Sequence, residues 1–216
     1  MSFLDICIQL LPGMLITLEI FGLTLLFSLP LGILVAWGRM SKIKVVQWIF
    51  RIYIGLLRGT PLMLQLLVVY FGPYYIFGLN ISAAYRGIAV IIAFSFNYAA
   101  YFAEIYRGGI ESIDPGQREA AYVLGYNKYQ TFTLIVFPQV IKRIIPAMTG
   151  EIVTLVKDTS LAFSIAYAEM FTEAKRIAAA QTSMLPFVAA GIFYFVFNAI
   201  IGEISSCIEK KLNYYN

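Results

Sequence analysis

Acidic side chains occur within or beside the most apolar stretches of this sequence, where a charge is expensive. They are Glu19, Glu104, Glu151 and Glu203. A charged side chain at membrane depth costs about 2.5–3.5 kcal/mol on insertion scales, so each of them is a functional candidate. Glu151 has no charged partner among its sequence neighbours, and its carboxylate could receive the ammonium or basic side chain of a small solute. Asn97 could supply a second polar contact, which predicts a substrate pocket built from Asn97 and Glu151.

These side chains also have purely structural interpretations. Glu151 could pair with a neighbouring helix and Asn97 could bond a backbone carbonyl, since polar groups often join helices within membranes. Glu104 is followed three residues later by Arg107, a spacing that predicts an ion pair within one helix near the inner interface. The pocket and the structural interpretations of Glu151 and Asn97 both stay open at this point.

The composition identifies the solvent around these groups as lipid. Of the 216 residues, 60% are hydrophobic and 13% charged, and the mean hydropathy is +0.78. An ordinary soluble domain has roughly 25% charged residues. A soluble fold of this size could not bury so much apolar side chain, which excludes a cytosolic enzyme or a secreted domain. The absence of histidine excludes His-based metal and triad chemistry, and Cys7 and Cys207, at opposite ends, predict neither a disulfide framework nor a zinc site.

Five apolar runs are long enough for a helix to cross a hydrocarbon core of roughly 30 Å. They cover residues 12–38, 59–79, 87–106, 140–156 and 185–207. Because alternating barrel strands are absent, we expect an all-α integral membrane protein with one domain over residues 1–216. Thr60 and Pro61 fit a helix cap followed by a first helical residue, so the second run is expected to be broken. The short apolar segment 159–171 could be a re-entrant or surface helix, or could extend the run before it.

Charge asymmetry predicts the orientation of these spans. With the N-terminus outside and the C-terminus inside, twelve of the sixteen Lys and Arg residues fall on the inner side. The positive-inside rule favours that orientation. The net charge of +4 is therefore better explained by membrane topology than by binding of nucleic acid.

The long inner segment, residues 111–138, reads as helix–turn–helix. Asp114 can cap a helix that starts at Pro115, with Gln117 completing a capping box. The helix is expected to run to Leu124 and to end at Gly125, which tolerates a left-handed backbone.

A second helix is expected to follow in the same segment. Asn127 can cap it with Gln130 as the box partner, and Pro138 is expected to end it. Such a structure held at the membrane surface predicts a docking element, although a plain solvated helix is the alternative.

Four segments resemble the permease subunits of ATP-binding-cassette importers, in the polar amino acid branch. The segment from Glu119-Ala120-Ala121 through Gly125 to Ile135, Phe137 and Pro138 is similar to the EAA motif, with Phe137 where the family pattern has Leu. The other matching stretches are 58–66 (RGTPLMLQL), 100–110 (AYFAEIYRGGI) and 157–161 (KDTSL). Several matches in the right order cover the chain from about residue 17 to its end.

The resemblance implies a type I importer permease in which the EAA helix is the cytoplasmic coupling helix. Glu119, Ala120, Ala121 and Gly125 would then contact the ATPase. Small alanines allow a close approach, Glu119 can pair with a basic group, and Gly125 sets the angle at which the helix leaves the groove. Positions matching Asn97 and Glu151 line a pocket in such relatives, and Lys157, Asp158 and Ser160 fall in the external gate. A solvated loop with one ion pair is the alternative for the gate segment.

The resemblance also implies partners. They are two ATP-binding subunits, a second permease subunit (identical or homologous), an extracytoplasmic amino-acid-binding protein and the lipid of a bacterial cytoplasmic membrane, with no nucleic acid. No GxxxxGK[ST] occurs in the chain, so we expect no cofactor here, ATP and Mg²⁺ being bound by the partner ATPase.

We therefore expect a non-catalytic permease subunit of a polar amino acid importer. An ion- or proton-driven secondary transporter is the alternative, with Glu151 as a proton site, but five spans without an inverted repeat are few for one. An intramembrane enzyme is disfavoured, because GxSxG and HExxH motifs are absent.

Overall fold

Helices make up the secondary structure of residues 2–212, the part of the chain that this computed structural model describes. They are α1 (Phe3–Arg39), α2 (Lys44–Gly59), α3 (Leu62–Phe77), α4 (Tyr85–Glu111), α5 (Pro115–Val123), α6 (Lys128–Gln130), α7 (Phe137–Asp158), α8 (Met170–Gln181) and α9 (Leu185–Leu212). Within these residues, four helical runs are long and apolar enough to cross a membrane, and a bent pair makes a fifth. The all-α membrane architecture with about five spans is confirmed.

Helix α1 forms the first span and starts nearer the N-terminus than the predicted residue 12. Ser2 caps it: the Ser2 hydroxyl accepts from the Asp5 N–H, and the Asp5 carboxylate accepts from the Ser2 N–H. The buried side chains of α1 recur every three or four residues and form one stripe that packs mainly against α4. A cap and a buried stripe extend the helix through residues 3–11, where Asp5 and Gln9 interrupt an otherwise apolar sequence.

The second span is broken, as expected at Thr60 and Pro61. Helices α2 and α3 meet at a bend of 108°. The predicted cap is wrong, because the Thr60 hydroxyl donates to the Leu56 carbonyl (2.8 Å) and Pro61 itself precedes the first residue of α3. The Gln65 side-chain amide closes the junction by donating to the carbonyls of Leu57 (2.9 Å) and Thr60 (3.0 Å).

Counted with α2, the second span starts at Lys44 rather than at residue 59. Arg51 and Arg58, which precede the predicted run 59–79, lie within this helix. The apolar run did not reveal the earlier start, because α2 is amphipathic and its basic residues interrupt the apolar pattern.

Helix α4 is the centre of the fold and packs against α1, α2, α3 and α7. Its buried positions combine alanines with large aromatic rings: Ala89, Ala93, Phe94, Tyr98, Ala99, Ala100, Phe102 and Ala103. The alanines let neighbouring helices approach closely, as is typical of membrane packing, and the rings fill the space between them.

The span predicted at 140–156 belongs to one helical run from Lys128 to Ile165. The expected helix end at Pro138 is wrong. The π-helix Thr131–Val136 leads directly into α7, where Pro138 occupies the second position. A proline is tolerated in a first turn because its missing N–H would have no partner there in any case, and the wider π turn shifts the bonding ahead of it.

The segment 159–171 divides into two parts. Thr159–Ile165 is a 3-10 helix that extends the span, and the chain then turns at Ala166, which has a φ of 54°. Helix α8 starts at Met170 as a separate element of twelve residues. Helix α9 follows as the last span.

Candidate functional site

A cavity of about 260 Å³ lies where α3, α4 and α7 meet. Its walls are formed by Thr60, Pro61, Leu62, Asn97, Tyr98, Tyr101, Glu151, Thr154, Asp158 and Leu161. The fold thus brings together both predicted pocket residues, Asn97 and Glu151, and one predicted gate residue, Asp158. Thr60 and Pro61, at the break in the second span, also line the cavity, and the sequence analysis did not predict this.

The acidic wall of the cavity comes from one face of α7. Glu151, Thr154 and Asp158 have the spacing i, i+3 and i+7, which aligns them along one side of a helix. The Thr154 hydroxyl donates to the Gly150 carbonyl at 2.9 Å. Two carboxyl groups therefore face one small cavity, a charge pattern that suits a cationic group.

Asn97 has a structural part in this cavity. It is 4% exposed, and its Nδ2 donates to the Leu57 carbonyl (3.0 Å) and to Gln65 Oε1 (2.9 Å). The hydrogen bond from Asn97 to a backbone carbonyl, which the structural interpretation predicted, is therefore present. Asn97 and Gln65 together hold the broken second span against α4, and contact of Asn97 with a substrate stays a prediction.

The three predicted gate residues are placed differently. Asp158 lines the cavity and accepts a hydrogen bond of 2.7 Å from the hydroxyl of Tyr98, which is itself buried. Lys157 is exposed, and its carbonyl accepts a hydrogen bond of 2.7 Å from Ser160 Oγ. The sequence did not predict that Tyr98 lines the cavity. Its position directly after the predicted pocket residue Asn97 could have indicated this.

The helix of the inner segment starts as expected but without the expected box. Asp114 Oδ1 accepts from the Gly116 N–H at 2.7 Å. The Gln117 side chain accepts instead from Gln139 Nε2 (3.3 Å), so the predicted box at Asp114 is wrong. The second box is confirmed: Asn127 and Gln130 exchange two bonds of 2.9 Å.

Gly125 ends this helix in the left-handed conformation, with a φ of 82°. The Gly125 N–H donates to the Tyr122 carbonyl and the Tyr126 N–H donates to the Ala121 carbonyl, both at 3.0 Å. This pair of bonds is a Schellman motif, which satisfies the last carbonyls and sharply redirects the chain.

The EAA alanines differ in exposure. Glu119 and Ala120 are exposed, whereas Ala121 is 1% exposed and packs inside the segment. Ala121 therefore departs from the expectation that both alanines present a small surface to a partner.

Exposed apolar side chains follow directly, which sequence analysis did not single out. Val123 is 85% exposed, and Tyr122, Leu124 and Tyr129 are also exposed. We call these four residues the elbow surface. An apolar surface of this kind on a polar segment is typical of a protein contact.

Glu104 forms the ion pair predicted for it. Its Oε2 lies 2.6 Å from Arg107 Nη2, and Arg39 approaches the other carboxylate oxygen at 4.0 Å. Arg107 also pairs with Glu111. Glu104 thus joins the inner ends of α1 and α4.

The remaining acids lie elsewhere. Glu19 borders a separate cavity of about 410 Å³ with Tyr167 and apolar side chains, and Glu203 is exposed on α9. Among residues 2–212, no group of three or more His, Cys, Asp or Glu side chains could hold a metal ion.

Comparison with known proteins identifies relatives over most of the chain. The profile of the family "Binding-protein-dependent transport system inner membrane component" matches residues 28–214. The chain is 36% identical over 204 residues to the arginine transport system permease protein ArtQ of Bacillus subtilis (strain 168), covering 94% of this chain and 92% of that protein. It is 33% identical over 206 residues to the L-cystine transport system permease protein TcyB of the same organism, covering 94% and 86%.

Solved structures have the same fold. The chain superposes on the crystal structure of an amino acid ABC transporter with histidines with a TM-score of 0.88 and 31% identity, covering 98% of this chain and 99% of that one. The inward-facing MetNI methionine ABC transporter gives a TM-score of 0.71 at 15% identity, which supports the fold alone, over 99% and 100% of the two chains.

Proposed function

The chain belongs to the family of binding-protein-dependent transport system inner membrane components, and from this membership we propose that it is the membrane-spanning subunit of an importer for a polar amino acid. The relatives named for arginine and cystine transport support the substrate class. The observation that carries the proposal is the cavity lined by Glu151 and Asp158, whose carboxylates would bind the ammonium group that every amino acid has. The same relatives favour this function over an ion- or proton-coupled secondary transporter.

We propose that the inner segment couples this subunit to an ATPase. Glu119 and Ala120 are accessible to a partner, Gly125 redirects the chain, and the elbow surface offers apolar contacts. The helical run from Lys128 continues from this segment past Asp158. A movement of the elbow surface would therefore be transmitted to the cavity through one continuous helical run.

The complete transporter would contain two ATP-binding subunits, a second permease subunit and an extracytoplasmic binding protein in a bacterial cytoplasmic membrane, with the N-terminus of this chain outside. ATP and Mg²⁺ would be bound by the ATPase subunits, and this chain would hold no cofactor. Closure of the ATPases would turn the permease pair outward to receive the solute, and hydrolysis would reset it.

The test uses the complete transporter in proteoliposomes with its binding protein. Glu119→Arg is expected to abolish ATP-driven uptake and the substrate-stimulated ATPase activity, because it places a positive charge on the exposed face of the coupling helix. Glu209→Arg, the same reversal near the end of α9, is the matched control and should leave uptake near the unmodified level. Unchanged uptake and ATPase in Glu119→Arg would refute the coupling role, and uptake that needs an ion gradient but no ATP would refute the importer.

A further inference from the structure

Helix α2 carries three basic residues along one face. Lys44, Arg51 and Arg58 are spaced seven residues apart, or nearly two helical turns, and all three side chains are exposed. Gln47 and Gly55 complete this sector. A set of exposed apolar side chains lies beside it: Val45, Trp48, Ile49, Ile52 and Leu56.

The opposite face of α2 packs into the protein and defines how deep the helix lies. Phe50 lies against Gly38, at the inner end of α1. The Tyr53 hydroxyl donates to the Phe96 carbonyl at 2.7 Å, and the Leu57 carbonyl accepts from Asn97. Asn97 is at the middle of α4, about 21 Å along the helix from Glu111. Helix α2 therefore rises from the inner end of the fold to its mid-depth.

The basic face cannot be directed at lipid over this distance. Arg58 follows Leu57 and so lies at the depth of Asn97, where an arginine facing hydrocarbon is strongly disfavoured. The adjacent apolar sector of α2 suits lipid. The basic sector must instead face protein or a water-filled space, and the contact of Arg58 with Tyr101, which lines the cavity, favours the route of the solute.

Arg58 also contacts a residue that lines the cavity. Its guanidinium is 5.0 Å from the ring centroid of Tyr101, and Tyr101, Thr60 and Pro61 all line the cavity. Stacking on a ring orients the guanidinium while leaving its N–H groups able to bind a carboxylate in two places at once. The cavity then offers carboxylates on α7 and a guanidinium at its edge, which is the charge pattern that complements a zwitterion.

We propose that Arg58 binds the α-carboxylate of the transported amino acid, and that Arg51 and Lys44 continue this positive face toward the cytoplasm. The inference rests on the proposed function and extends it. The permease itself then distinguishes an amino acid from the amine that lacks the carboxylate, independently of the binding protein.

The experiment measures binding to the purified permease–ATPase complex without the binding protein. Radiolabelled L-arginine, L-glutamine and L-cystine are each compared with the decarboxylated amine: agmatine, 4-aminobutanamide and cystamine. For the transported amino acid, we expect the unmodified complex to prefer the amino acid at least tenfold. Arg58→Gln should lose that preference by weakening amino acid binding at least tenfold and leaving amine binding unchanged, with Arg58→Lys intermediate because lysine lacks the planar fork. Lys42→Gln removes a basic residue just before α2 and should bind like the unmodified complex.

The outcomes separate this inference from the proposed function. Retained preference in Arg58→Gln, or an equal loss for amino acid and amine, would overturn the role of Arg58 and leave the importer intact. If the unmodified complex transports an amino acid but binds none of the six probes, both the cavity assignment and the role of Arg58 are wrong. ATP-driven uptake that fails altogether would refute the proposed function itself.

Discussion

The hydroxyl of Tyr98 on α4 donates a 2.7 Å hydrogen bond to Asp158 Oδ2 at the last residue of α7. The bond joins the helical run that starts at Lys128, next to the elbow surface, to α4, the central helix of the fold. It also closes one wall of the cavity. If the inner segment couples to an ATPase as proposed, a displacement of the helical run that starts at Lys128 would strain this contact.

Removing this bond should uncouple ATP hydrolysis from transport. A hydrogen bond to a charged group contributes about 1.5–3 kcal/mol, so Tyr98→Phe should let α7 move without substrate. We expect uptake per ATP hydrolysed to fall several-fold in proteoliposomes. Tyr75→Phe removes an exposed hydroxyl from α3, away from the cavity, and should keep the unmodified ratio. An unaltered ratio in Tyr98→Phe would contradict the link.

Glu151, one of the two acidic residues of the cavity, should be needed for transport. Glu151→Gln keeps the shape of the side chain but removes the charge that faces the solute, so we expect uptake to fall at least tenfold. Glu203→Gln removes an exposed acid from α9 and serves as the control. Normal uptake by the Glu151 variant would remove this residue from the pocket.

Gly125 should be needed for the shape of the elbow. A left-handed backbone costs an ordinary residue roughly 1–2 kcal/mol, and a β-branched side chain is the least tolerant. Gly125→Val should therefore weaken co-purification of the ATPase. Gly125→Asn should restore much of it, because asparagine adopts this conformation more readily. Equal behaviour of the two variants would mean that the backbone angle is unimportant.

Two adjacent glycines of α4 should respond differently to the same substitution. A Cβ at Gly109 would overlap the Cγ2 of Ile144 and crowd Val140, whereas one at Gly108 would meet open space. The Ile144 side chain is branched and stiff, so Gly109→Ala should cost about 1–3 kcal/mol of stability. Thermal unfolding in detergent should show a lower midpoint for Gly109→Ala alone. Equal midpoints for the two variants would argue against close packing of α4 on α7.

Glu169, which precedes α8, should make stability depend on pH. Its carboxylate is fully buried and accepts bonds from the N–H groups of Phe171 and Thr172, both at 2.7 Å. Burial raises the pKa of Glu169 above its ordinary value of 4.5, and the bonds from Phe171, Thr172 and Tyr194 offset part of that rise. Between 4.5 and the raised pKa the folded chain holds a proton that the unfolded chain has lost, so this group's contribution to stability falls as pH rises through that window.

The measurement is the unfolding midpoint of the unmodified protein and of Glu169→Gln from pH 4 upward. The glutamine keeps an acceptor for the start of α8 but does not titrate. The midpoint of the unmodified protein should fall relative to that of the variant as pH rises above 4.5. A constant difference between the two proteins would show that Glu169 does not titrate in this way.

Much of the architecture could be read from the sequence, because the features concerned are local. A span depends on a run of apolar residues, so most of the five were located without coordinates. The Asn127–Gln130 box and the turn at Gly125 depend on residues a few positions apart, whose bonding follows from their types. The pairing of Glu104 with Arg107 is likewise a matter of helical spacing.

Tertiary packing alone decided which helices contact each other and which side chains line the cavity. The orientation of Ala121 inward and Ala120 outward depends on what packs beneath the helix. The continuation of the helix past Pro138 required a π turn that a local rule does not foresee. Tyr98 and Asp158 are 60 residues apart in sequence, and their meeting, like that of Asn97 with the broken second span, follows from the close packing of α4 against its neighbours. Sequence patterns define faces and ends of helices, but which faces meet is a property of the packed bundle.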